Sequence, residues 1–138
     1  MRRSLIALFF AFVTLIPGAL AQRTGYYPSN GPDEAQQVSL IQLIANPQAY
    51  DHKLVRVIGY LDLQFEGNAI YFHSGDFEHA IYENSIWINL PKDISPTQIK
   101  SVNDHYVICT ARFIANRHGH MGMFSGEFDD VRRLEVWR

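Results

Sequence analysis

The sequence predicts a small all-β domain with short helices, its five strands closed into a barrel. Three observations point there. Apolar and polar residues alternate with period two through several stretches between 54 and 136. Gly, Pro, Asn and Asp punctuate those stretches at short intervals. The helical signals are brief, and each opens on a serine able to cap it. With 138 residues, 47% of them apolar and 19% charged, the chain supports one hydrophobic core and one domain.

The start of the chain reads as an export leader over residues 1–21. Arg2 and Arg3 precede an almost unbroken apolar run, Leu5 to Ile16, and Pro17-Gly18 breaks it before the small-x-small signal Ala19-Leu20-Ala21. As a helix the run reaches about 18 Å, short of a hydrocarbon core of roughly 30 Å, so cleavage before Gln22 is expected and no stable membrane span remains. The location this implies is periplasmic or secreted. Cys109 is the sole cysteine. It excludes an internal disulfide and, standing in an alternating apolar segment, reads as a small core residue without chemistry.

Residues 22–37 are rich in Gly, Pro, Ser and Asn and are expected to form a flexible tail, with the domain spanning 38–138. Leu40, Ile41, Leu43 and Ile44 mark one face of a short helix capped by Ser39 and stopped by Pro47. A first strand runs over 54–65, with Val55, Val57, Gly59, Leu61, Leu63 and Phe65 on one side; its internal glycine lets it coil. Glu66-Gly67-Asn68 turns into a second strand, 69–73, and a polar loop, 74–84, leads to a third, 85–90. Ser95-Pro96 opens a short helical segment to about Asn103, followed by a strand at 106–115 and a fifth within 126–136. Three strands, a helix and two strands, with a long coiled first strand, is the layout of an OB-like Greek-key barrel, here preceded by a short N-terminal helix. Closure removes the open edges that would invite aggregation.

The stretch from Ile44 to Tyr60, with Asn46-Pro47, Tyr50-Asp51-His52-Lys53 and Val55-x-Val57-x-Gly59, resembles small exported bacterial OB-fold proteins. In that family a phrase N-P-x-x-Y-D-G-K-x-V-x-V-x-G joins a helix to the first barrel strand, and His52 stands where glycine is usual. The resemblance extends more loosely through Ile86-Trp87-Ile88 and residues 119–126. It implies the fold and export; the activities of such proteins are largely unknown, and the fold hosts many.

In an OB-like barrel, ligands lie across strands two and three, framed by the loops between strands one and two and between four and five. If Ile70, Phe72, Ile86 and Ile88 point inward, period two places Tyr71, His73, Trp87 and Asn89 on the outer surface as a ligand-binding platform, with His118 and His120 closing one rim. The expected role is a non-catalytic binding module for a glycan, a peptide or an envelope protein. A packed alternative is open at the same residues: Tyr71 and Trp87 buried beneath the N-terminal helix or the long loop. A second functional reading is a soft-metal protein. Met121-x-Met123 beside His118 and His120 resembles small periplasmic OB-fold carriers of Cu(I) and Ag(I), and imidazole with thioether suits those ions. A third is a protein-interaction or inhibitor module acting through a strand edge.

Other classes find less support. The formal net charge is −2, and more negative without the leader's two arginines, so there is no basic surplus for a nucleic acid partner. His73, His79, His118 and His120 with Glu78 lack the helical spacing of a zinc hydrolase. Glu66, Asp76, Glu78 and Glu127 have no spacing that marks a glycosidase pair, and Ser125 lacks a nucleophile elbow. No catalytic residue and no cofactor is therefore expected.

Overall fold

The computed structural model describes residues 25–26 and 34–138; the leader and its cleavage point lie outside them. Five strands close into a mixed barrel: β3 (Leu54–Asp62), β4 (Ala69–Tyr71), β5 (Ser85–Ile88), β6 (His105–Ile114) and β7 (Glu127–Val136). β3 pairs antiparallel with β4 and β6, β4 with β5, and β6 with β7, while β5 and β7 run parallel and complete the ring. That circuit is consistent with the OB-like layout the element order predicts.

Two further strands fall inside the segment expected to be a flexible tail. β1 (Gly25–Tyr26) pairs with β7, and β2 (Gln36–Gln37) pairs with β3. Each takes backbone groups the barrel leaves open: β7 is joined to β5 only near Trp87–Ile88, and β3 to β4 only from Tyr60 onward. The Tyr26 hydroxyl donates to Asp93 Oδ1 at 3.0 Å, tying β1 to the turn at Lys92 and Asp93 that follows β5.

Local chemistry sets the helices. In α1 (Leu40–Ala45), Ser39 Oγ accepts from the Gln42 N–H and Gln42 Oε1 from the Ser39 N–H. Ser95 and Gln98 repeat that reciprocal cap on α3 (Pro96–Val102), with Pro96 at its first position. α1 buries Leu40 and Leu43 over one end of the barrel and leaves Ile41 exposed. His52 sits at φ +58, the left-handed position of the turn into β3.

The core is built from Val55, Val57, Leu61, Ile70, Ile86, Ile88, Phe113, Phe128 and Leu134, all essentially inaccessible. Gly59 is where β3 needs its missing side chain: a Cβ there would lie 2.5 Å from Ile70 Cγ2 and 2.7 Å from Leu40 Cδ1. Two inward assignments are corrected. β3 ends at Asp62, so Phe65 leaves the alternation and is 92% exposed; β4 ends at Tyr71, so Phe72 is 45% exposed. Period two orients a side chain only while the strand lasts.

Candidate functional site

The strand-two and strand-three face of the barrel points Tyr71 and Trp87 outward, as period two requires, and the chain then covers them itself. The stretch 74–84, expected as a loop, folds into α2 (Ser74–Glu78) and a 3-10 turn (Tyr82–Asn84). His73 caps α2: its Nδ1 accepts from the Gly75 N–H at 3.0 Å, and Asp76 Oδ2 accepts from the His73 N–H. Asn84 Nδ2 donates to Asp76 Oδ1 and closes the segment on itself. Phe77 is thereby set against Tyr71 and Tyr60, at ring distances of 5.5 and 5.9 Å. From the opposite side Phe124 packs on Trp87 and Tyr82, at 5.2 and 5.7 Å. The result is a second, smaller apolar cluster outside the barrel, with Ala69, Tyr71 and Phe124 buried at its centre.

This corrects the open platform. Tyr71 has no exposed surface and Trp87 is half-buried, because the burial of seven apolar groups outweighs leaving two large rings wet. The packed alternative holds, with the long loop as cover. His73 is committed to the α2 cap and stands edge-on to Tyr106, away from Trp87.

Trp87 and Asn89 do come together. Trp87 Nε1–H donates to Asn89 Oδ1 at 3.0 Å, and Asn89 Nδ2 donates to Glu127 Oε1 at 2.5 Å. Arg117 Nε lies 3.2 Å from that same Glu127 oxygen, and its Nη2 donates to Asp129 Oδ2 at 2.7 Å. The hydrogen bond to Asp129 holds the Arg117 guanidinium above its usual range, and Arg117 in return holds the Asp129 carboxyl below its own. The string fixes the indole edge and the start of the loop after β6.

The two rim histidines diverge. His118 Nδ1 is 2.8 Å from the Phe124 carbonyl, which can only accept, so Nδ1 carries the proton and Nε2 the lone pair in the neutral ring. His120 Nε2 lies 3.5 Å from Glu66 Oε2, bridging to the turn after β3. Met121, at φ +53, is 82% exposed. Of the four residues in the soft-metal set, His118 and Met123 line one groove; His120 and Met121 turn elsewhere, because the backbone reverses through the 3-10 turn His120–Gly122. Among the described residues no three His, Cys, Asp or Glu side chains gather to hold a metal. Ser125 Oγ donates to the Glu83 carbonyl at 2.6 Å and is a loop tie.

That groove, about 500 Å³, opens beside the aromatic cover between Ile44 of α1, Tyr82–Glu83, His118 and Met123–Ser125. A second of about 300 Å³ shares Ile44 and continues over Ile41, Phe72 and Asn84. Sequence reasoning singled out His118 and Met123 but missed the other walls of the first groove: Tyr82 stands in a stretch that scans as polar loop, and α1 meets it only in three dimensions. The one usable signal was Phe124, an aromatic residue among glycines.

A further pair also went unread. Asp62 closes β3 with 5% of its surface exposed, beside Asp104, and its Oδ1 has no hydrogen-bond partner. Burial, with a hydrogen bond to the Asp104 carboxyl, pushes Asp62 up to about 6. The Tyr71 hydroxyl is likewise buried without a partner, and its burial raises it to about 12.

Among the described residues no helix is long and apolar enough to cross a membrane. Comparison of the chain with protein-family models, with curated proteins and with solved structures finds no match.

Proposed function

We propose that this chain is an exported, non-catalytic binding module on an OB-type barrel, and that its ligand seat is the groove between α1, the Tyr82–Asn84 turn and the loop before β7. The observation that carries this reading is the groove's make-up. Ile41, Ile44, Phe72 and Met123 offer apolar surface, the exposed Glu83 offers a carboxylate, and no lysine or arginine lines either part. A shallow trough that is apolar over Ile41, Ile44 and Phe72 and mixed, with an acidic wall, around Met123 and Glu83 suits a short extended polypeptide segment bearing an apolar side chain beside a basic one. The aromatic cover is the rigid backing: Phe124 reaches both the groove and Trp87, so occupancy is transmitted to the indole.

The test is a peptide-library selection, followed by titration of enriched peptides in a Trp137→Phe background, where Trp87 is the only indole. The expected result is enrichment of apolar-plus-basic sequences, a change in Trp87 emission, and at least tenfold weaker binding in Met123→Glu and in Glu83→Lys. Peptides bound equally well by both variants would place the seat elsewhere.

A soft-metal role is the second reading, supported by His118 and Met123 in the same groove, with the His118 ring oriented by the Phe124 carbonyl as ligand histidines commonly are. It expects one equivalent of Cu(I) taken up and lost in Met123→Leu; absence of uptake in a chelator-competition titration removes it.

A further inference from the structure

We propose that Asp62 and Asp104, with the Tyr71 hydroxyl behind them, bind a hard divalent cation, Ca²⁺ in the first place, reached through the groove between α3 and the start of β6. The site is separate from the peptide groove and does not depend on it.

The argument begins with an unanswered charge. Asp62 is nearly inaccessible, and the charged group acting on its carboxylate is another carboxylate, Asp104. The pair is held in place by backbone. The Asp104 N–H donates to the Leu61 carbonyl at 3.0 Å, and Asn103 Oδ1 accepts from the Leu63 N–H at 2.7 Å, so the turn grips β3 on both sides of Asp62. Asp104 adopts φ +58 to do so. Two acids clamped together at a strand end are costly unless a proton or a cation neutralises them.

The independent observation is the phenol. Tyr71 is the diagonal neighbour of Asp62 on the outward face of the β3–β4 pair, since Tyr71 lies opposite Tyr60 and Ala69 opposite Asp62. Its hydroxyl is fully buried, has no partner, and is close enough to Asp62 and Tyr82 to feel both. Two buried oxygens, Asp62 Oδ1 and Tyr71 Oη, thus lack the partner that buried polar atoms require. One oxygen-seeking ion beside them answers both.

Tyr60, which feels both carboxylates, also feels Glu78 and Tyr106, so the groups gathered on this face are oxygen donors; the basic side chains nearby, Lys100 and His105, stand in the groove outside Asp104. Asp104 itself opens onto a groove of about 540 Å³ lined also by Ile99, Lys100, Asn103 and His105, which provides the approach. Oxygen-only donors on a strand end, a turn and a neighbouring strand make an irregular set. Ca²⁺ accepts such sets and completes them with water, whereas Mg²⁺ demands a regular octahedron.

Tb³⁺ is the probe, because nearby tyrosines sensitise its emission. The expected result is tyrosine-excited Tb³⁺ luminescence saturating at one equivalent and displaced by CaCl2, together with a higher Tm in CaCl2 than in KCl of equal ionic strength. Asp62→Asn and Asp104→Asn should each weaken Tb³⁺ binding at least tenfold. Asparagine tolerates the left-handed backbone at 104 and that side chain is exposed, so this variant keeps the test decisive if Asp62→Asn folds poorly. Luminescence that CaCl2 does not displace, or that survives in Asp104→Asn, overturns the proposal. So does a Tm indifferent to CaCl2, which would leave the pair neutralised by a proton alone.

Discussion

Gly119 lies against the face of Trp87: a Cβ built on it would come within 2.5 Å of the indole Cγ and 2.6 Å of Cδ2. With φ +59, Gly119 also holds a backbone conformation that a side chain resists. The contact is how the loop before β7 seals the indole that the barrel turns outward.

Gly119→Ala should therefore combine clash with backbone strain, at a cost of about 3 kcal/mol. Gly122→Ala, at φ +70 with nothing within 4 Å of the added methyl, should cost only about 1 kcal/mol. Urea denaturation in the Trp137→Phe background, followed by Trp87 emission, measures both; equal losses would show that the Gly119–Trp87 contact is not what holds the loop.

Asp62 gives stability an acid-side dependence. Its folded-state proton affinity is raised, from 3.8 to about 6, so the folded protein keeps a proton that the unfolded chain has already released. Stability is then highest below pH 4 as far as this group is concerned, and falls as pH rises through about 6. In EDTA the loss across that window should be about 2 kcal/mol, and Asp62→Asn should flatten it and be the more stable form at pH 7. Denaturation midpoints at pH 4, 5, 6 and 7 check the sign.

Tyr71 is tested by two substitutions. Tyr71→Ala empties the centre of the outer cluster and should cost about 3–5 kcal/mol. Tyr71→Phe keeps the packing and deletes a hydroxyl without a hydrogen-bond partner, so its stability in EDTA should match or exceed the parent. A large loss in Tyr71→Phe would mean that the hydroxyl has a partner in the metal-free protein.

Cys109 is fully buried, and burial alone pushes its thiol up to about 12. Labelling by a disulfide reagent at pH 8 should follow the rate or extent of opening of the barrel and stop when the fold is stabilised. Rapid labelling under native conditions would show that β6 opens locally.

The barrel was legible where local rules govern. Alternation from Leu54 to Leu61, the serine caps at Ser39 and Ser95, and Pro96 at a first helical position act within a few residues of chain, and each appears in the structure as the sequence implies. The candidate site was half legible. Period two correctly turned Tyr71 and Trp87 away from the barrel core, yet it carries no information about what lands on the far side. Phe77 and Phe124 reach that side from segments dominated by polar residues and glycine, so neither announces itself as core.

The amino-acid sequence by itself determined the five barrel strands, most of their inward faces and the two serine-capped helices, because hydrophobic periodicity and backbone hydrogen bonding are local demands. Only the tertiary structure decided that the outer rings are covered, that α1 meets Tyr82 and Met123 across a groove, and that Asp62 stands beside Asp104. These are contacts between segments far apart in the chain. They follow from which surfaces closure of the barrel brings together, and linear spacing does not encode that.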